Sequence, residues 1–275
     1  MTKKSQTAKE NTEKKSPAFI ENRRKVRQTT QKNTEKKLPL LNICLEILLL
    51  SLWTVFIIIS VQFLVSFIFA SLFGNFSDSP IIFTIYSLVY YALSVLIIIF
   101  SSTKIFKKQT PTRENLGLKD LPTFSDIALG PVALIIYLLL AMGLTFVFSL
   151  FPWFDATQAQ DLGLNTYMNQ SELFFTFLAL VVIAPISEEI IFRGWLYDKI
   201  RKLIPGKKSV FISILLVSIL FGLIHGQLNV AVNVFAMSVI ACLLREMTGT
   251  IYAGIFLHIL KNTLAFLLVY VYHLS

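Results

Sequence analysis

The chain has 275 residues, 55% of them hydrophobic and only 15% charged, with a formal net charge of +9. Soluble domains carry about 25% charged residues, so this composition excludes one and points to a membrane protein. The apolar runs are long and continuous, without the period-2 alternation of barrel strands, so the expected fold class is all-α: a polytopic helical bundle of about seven transmembrane helices.

Residues 1–37 hold twelve Lys/Arg against four Glu, a net of +8. The segment is rich in Thr, Gln, Asn and Ser and reads as a disordered basic cytoplasmic tail. Its charge sets membrane orientation by the positive-inside rule, and no nucleic-acid partner is expected. The first apolar run starts near Leu38 and is too long for the core of a cleavable signal, so it reads as a signal anchor. Cys44 and Cys242 stand far apart in apolar stretches and read as free, buried residues, with no disulfide and no Cys metal site.

Seven apolar runs are long enough for about 30 Å of hydrocarbon, near 44–73, 80–101, 127–152, 172–197, 209–226, 229–246 and 249–272. The loop after the first carries Asp78 and no base. The next carries Lys104, Lys107, Lys108, Arg113 and Lys119. The loop near 153–170 has Asp155 and Asp161 and no base, and the following one has Arg193, Lys199, Arg201, Lys202, Lys207 and Lys208. This alternation fits a multi-pass cell-membrane protein with a cytoplasmic N-terminus. The domain reading is a tail at 1–37, N-terminal transmembrane helices at 38–170 and a catalytic transmembrane core at 171–275. No internal repeat supports an inverted-repeat transporter.

The fourth run carries Glu188, Glu189 and Arg193 in apolar surroundings. A charge at the centre of a membrane helix costs roughly 2.5–3.5 kcal/mol, so such groups face a cavity or neutralise one another. Glu189 and Arg193 are four apart and share a face, so Arg193 is expected to neutralise Glu189. Glu188 lies about 100° away around the helix. It is therefore expected to point elsewhere, without a local partner, and to act as a proton acceptor and donor. Pro185, one turn upstream of Glu189, is expected to kink the helix and open a wet pocket. The alternative places all three charges at the membrane boundary, solvated or snorkelling.

In the fifth run Phe221 stands one turn below His225, and in the seventh His258 and Asn262 share a face at i, i+4. A carboxylate and an imidazole can deprotonate a water between them. A second imidazole and an amide can donate to the oxyanion formed when that water attacks a carbonyl. That set suffices for peptide hydrolysis without a Ser or Cys nucleophile. Alternatively Glu188, His225 and His258 could hold a divalent metal ion such as zinc with an open water position, although no His-Glu-x-x-His signature is present. Lys261, beside Asn262, has no role in either scheme. It could pair with Glu189 or snorkel.

The three patterns Glu188-Glu189…Arg193, Phe221…His225 and His258…Asn262, in this order, resemble the CPBP family of intramembrane proteases, which includes type II CAAX prenyl endopeptidases and the bacteriocin-related Abi proteins. The resemblance covers about 171–272. It implies that Glu188 and His225 activate water, that His258 and Asn262 stabilise the oxyanion, and that Glu189 and Arg193 support them. It leaves open whether a metal is used. The implied activity is an intramembrane endopeptidase acting on a membrane-associated peptide or protein within the lipid bilayer. The alternatives are a non-catalytic bacteriocin-immunity or scaffold protein and, with less support, a proton-coupled transporter.

Overall fold

The structure is a computed structural model that describes residues 40–105, 110–158, 164 and 168–273. The basic tail 1–37, the side chain of Lys104, and the loop charges Lys107, Lys108 and Asp161 used in the orientation argument lie outside what is described. The chain divides into a unit ending at Ile43, described only over Leu40–Ile43, and a unit Cys44–Ser275. The second contains Glu188, Glu189, His225 and His258.

Seven helices are present among the described residues: α1 Leu40–Phe73, α2 Pro80–Ile105, α3 Phe124–Ser149, α4 Gln170–Leu203, α5 Ser209–Leu223, α6 Leu228–Thr248 and α7 Tyr252–Phe266, which runs on as a π-helical turn Leu267–Val271. Six are long and apolar enough to cross a membrane, and α5 is shorter. Many large apolar side chains point outward, among them Phe63, Phe67, Leu139 and Phe146. Such a surface is untenable in water and natural against lipid tails. It also corrects the expectation for Cys44, which is exposed on this outer surface, whereas Cys242 is buried as expected.

α2 packs along α4, α3 lies against α6 and α7, and α7 also contacts α4 and α6. α5 packs on α6 and touches α4. α3 begins ahead of the expected 127 because Thr123 and Asp126 form a reciprocal capping box, and Thr250 Oγ1 donates to the same carboxylate at 3.1 Å. This ties the start of α3 to the α6–α7 turn.

α4 is one continuous helix with two widened stretches, π-helical at Leu178–Ile183 and Ile190–Leu196, on either side of the α-helical turn Ala184–Glu189. Pro185 gives a physical reason for the first. Proline lacks an N–H, and its ring crowds the carbonyl four residues back. The chain responds with i→i−5 bonding, Ala184 N–H reaching Ala179 O. Pro185 is thus accompanied by a wide turn, of the kind found often at functional sites.

α5 ends at Leu223 rather than near 226. Its 15 residues rise only about 22 Å, short of a full crossing. His225 therefore sits in the turn after the helix, where Gly226 adopts φ +72° and Gln227 N–H closes on His225 O at 2.8 Å. Non-helical backbone at this depth is tolerated where protein or a wet cavity surrounds it.

Gly222 lets α5 and α6 approach closely. A Cβ there would stand 2.8 Å from the Ala231 carbonyl oxygen, a backbone atom that cannot swing away. Gly222→Ala is expected to lower stability by about 1–3 kcal/mol. Gly143→Ala, which meets nothing within 4 Å, is expected to stay within about 0.5 kcal/mol or to stabilise. Denaturant unfolding in detergent micelles checks this; equal effects of the two substitutions would contradict it.

Candidate active site

Of the five polar motif positions on α4 and α7, Glu188, Glu189 and His258 come together at one imidazole. His258 is buried on α7. Its Nδ1 lies 3.1 Å from Glu189 Oε1, and its Nε2 lies 3.8 Å from Glu188 Oε2. Facing a carboxylate, Nδ1 is the donor. The expectation that two adjacent glutamates cannot share a target fails here. An imidazole carries nitrogens on two edges, so one ring between the carboxylates meets each with a different atom.

Glu189 also stands 2.9 Å from Arg193 Nη1, and both side chains are fully buried. The pairing at i, i+4 is therefore present, and the alternative of solvated boundary charges does not hold. The pair is close without being well aligned: no guanidinium N–H of Arg193 points along a hydrogen bond to a protein acceptor, and Glu189 Oε2 has no donor. The guanidinium instead lies 4.4 Å over the Phe221 ring, a cation–π contact that strengthens where water is excluded. Gly254, one turn before His258, leaves the room Glu189 needs: a Cβ there would come within 3.1 Å of Glu189 Oε2.

Glu188 is the more open carboxylate, with 18% of its side chain exposed. It has a partner all the same, on a distant helix rather than its own. Tyr91 Oη on α2 donates to Glu188 Oε1 at 2.8 Å. This leaves Oε2, toward His258, as the free lobe. Tyr91 belongs to the stretch 38–170 that the sequence reading keeps apart from the catalytic core. The signal for it was a pair of tyrosines, Tyr90-Tyr91, in the middle of an apolar span, where each hydroxyl needs a partner.

His225 is part-buried, and its Nδ1 lies 2.7 Å from the Phe221 carbonyl oxygen. Only a donor fits there, so in the neutral ring Nε2 is the basic nitrogen. No ion pair or hydrogen bond joins His225 to Glu188, but the ring lies within electrostatic reach of Glu188, His258 and Lys261. Phe221 is the hub of the cluster, edge-on to Phe192, His225 and His258 at centroid distances of 4.9, 5.0 and 6.0 Å. Helices α4, α5 and α7 thus converge on one ring.

Asn262 sits a turn beyond His258, and its amide turns to the backbone of α4 instead. Its Nδ2 donates to the Leu180 carbonyl at 2.8 Å, inside the first π-helical stretch of α4. One amide N–H is therefore committed to holding that turn, and one remains. Lys261 forms no pair with Glu189. It lines a separate cavity between α3, α6 and α7.

Whether the donors fit a divalent ion is a question of convergence. Glu188, Glu189, His225 and His258 are the right ligand types, but among the described residues no group of three His, Cys, Asp or Glu is placed to hold one ion.

A family model described as type II CAAX prenyl endopeptidase Rce1-like matches residues 170–264. The match runs from the start of α4 to just past Asn262 and takes in all three motifs. The family resemblance drawn from them holds over this stretch. No curated protein and no solved structure gives a match.

Removing Arg193 would take its guanidinium partner from a fully buried carboxylate. Arg193→Met is expected to lower stability by about 3–5 kcal/mol, whereas Glu188→Gln, at the more open carboxylate, costs about 1 kcal/mol or less. Chemical unfolding of both variants in detergent reads the difference. Equal losses would contradict the assignment of Glu189 as the structural carboxylate and Glu188 as the free one.

Proposed function

We propose that this multi-pass membrane protein is an intramembrane endopeptidase that hydrolyses a peptide bond in a membrane-associated peptide or protein. The observation that carries the reading is the division of labour between two adjacent carboxylates. Glu189 is buried and paired with Arg193, whereas Glu188 keeps one oxygen free beside the His258 imidazole and within electrostatic reach of His225. The family match at residues 170–264 supports it independently.

In this reading a water enters beside Glu188 Oε2 and His225 Nε2. One of these takes its proton while its oxygen bonds to the scissile carbonyl carbon. His225 is suited to the task because the Phe221 carbonyl holds its Nδ1–H and turns Nε2 outward. The negative charge that develops on the substrate oxygen meets the remaining Asn262 N–H and, when its ring carries a second proton, His258 Nε2–H. The carbon–nitrogen bond then breaks, and the departing amine takes the proton first removed from water. Glu189 and Arg193 touch no substrate. They orient His258, as the carboxylate behind a catalytic imidazole does in other hydrolases. Tyr91 is a positioning residue that fixes the Glu188 carboxylate.

By the positive-inside rule the tail 1–37 faces the cytoplasm, as does the α4–α5 connection with Lys207 and Lys208. The site then lies within the bilayer, reached by α5 from the cytoplasmic side.

Protein purified into lipid vesicles and given a library of membrane-anchored peptides tests the reading by mass spectrometry of products. Glu188→Gln and His225→Ala are each expected to slow cleavage by about 100- to 10,000-fold. Undiminished cleavage in either variant would refute it. Tyr91→Phe is expected to lower kcat by about tenfold, the worth of a hydrogen bond to a charged group, with the same unfolding midpoint. A fall in stability with kcat intact would make Tyr91 merely structural.

A further inference from the structure

Lys261 is a cation in the middle of an apolar helix, three residues past His258 and beside Asn262. An ammonium in this setting costs roughly 2.5–3.5 kcal/mol unless water or an anion reaches it. Lys261 takes part in none of the ion pairs or hydrogen bonds found among the described residues. It does lie within electrostatic reach of Glu188 and His225 and one helical turn from His258.

Lys261 opens into a cavity of about 460 Å³ between α3, the start of α6 and α7. That volume falls within the range of ligand pockets, about 300–1,000 Å³. Its walls are mixed: Leu138, Leu264 and Leu268 are apolar, and Tyr137, Asn229 and Asn233 bring polar atoms. The pattern of hydrogen bonds decides which ligand fits. Tyr137 Oη donates to Asn233 Oδ1 at 2.6 Å, which uses the acceptor of Asn233 and leaves its NH₂ group. Asn229 Nδ2 donates to the Gln158 carbonyl at 2.7 Å, and its Oδ1 accepts from Val230 N–H at 2.8 Å. Most of the groups left uncommitted are donors: the Asn233 amide N–H pair, the second N–H of Asn229 and the three N–H of Lys261, while the Thr145 hydroxyl and the Tyr137 oxygen can also accept. A pocket with this surplus of donors around a cation favours an anion with two acceptor oxygens.

We propose that this cavity is the subsite that holds a carboxylate of the peptide being cut, supplied either by the peptide's own C-terminus or by an acidic side chain near the scissile bond. The inference rests on the endopeptidase reading and deepens it. Lys261 is the specificity residue, Asn233 the second donor, and Tyr137 the group that turns the Asn233 amide toward the ligand. The apolar walls take the side chain that accompanies the carboxylate. Because Lys261 and His258 lie one turn apart on the same helix, seating the carboxylate also fixes the distance of the scissile carbonyl from Glu188.

The test uses full-length protein in phosphatidylcholine vesicles and matched short peptides. One set has a free or amidated C-terminus, and the other has Asp and Glu positions kept or replaced by Asn and Gln. Binding is measured on the Glu188→Gln protein and cleavage on the protein with Glu188 intact, each with Lys261, Lys261→Met or Lys261→Arg. Peptides with the carboxylate are expected to bind and be cut at least about tenfold better, the worth of a charged hydrogen bond. Lys261→Met is expected to erase that preference through KM, raising KM for acidic peptides by about tenfold more than for neutral ones, and Lys261→Arg to retain it. The first set identifies a terminal carboxylate, the second an acidic side chain. Cleavage without charge preference sinks the subsite and leaves the endopeptidase reading intact. Charge-dependent binding without cleavage by the Glu188 protein does the reverse. Equal loss on neutral and acidic peptides in Lys261→Met assigns Lys261 to the electrostatics of Glu188 and overturns the proposal. A response to phosphatidylglycerol in place of the peptide carboxylate also overturns it.

Discussion

A fully buried carboxylate held between a guanidinium and an imidazole organises this site. Glu189 Oε1 lies 2.9 Å from Arg193 Nη1 and 3.1 Å from His258 Nδ1. Neither charge of the α4 pair could stay in this interior alone, because an uncompensated buried ion costs several kcal/mol. The pair therefore fixes how α4 faces α7. Once Glu189 has turned toward His258, its neighbour Glu188 falls beside the ring's other nitrogen and meets Tyr91 on α2. Phe221 of α5 caps the arrangement with its ring against Arg193. A salt bridge of this kind is weak support for stability in itself. Its worth here is in placing a second, freer carboxylate.

The wide turns of α4 serve the same end. They flank the Glu188-Glu189 turn on both sides, and Asn262 clamps the first through Leu180 O. Asn262 thus has a structural duty whatever its part in hydrolysis. The early end of α5 is the counterpart on the other side: it leaves His225 in a turn, with one nitrogen tied to the backbone and the other free.

Much of this was legible in the residues. Apolar run length fixes seven helices, because a membrane of about 30 Å dictates it, and the charges that interrupt those runs mark the site because lipid tolerates them so poorly. The i, i+4 rule found Glu189 with Arg193. It failed for Glu188, because a wheel places residues on one helix and says nothing of a partner with two usable edges, as His258 has, or of a hydroxyl arriving from a distant helix, as Tyr91 does. Helix α5 was drawn too long because Ile224 and His225 continue its apolar pattern, and only Gly226 signals the turn. The cavity at Lys261 was out of reach of any local rule, since its walls come from α3, α6 and α7.

The central claim is that one imidazole stands between the two glutamates. Solid-state NMR in lipid bilayers, with labelled glutamate carboxyl carbons and histidine ring nitrogens, measures this directly. The account predicts that His258 Nδ1 carries a proton and lies in hydrogen-bond range of the Glu189 carboxyl, with Nε2 nearest to Glu188. A His258 ring remote from both carboxyl carbons, or protonated only on the nitrogen facing away from Glu189, would contradict it.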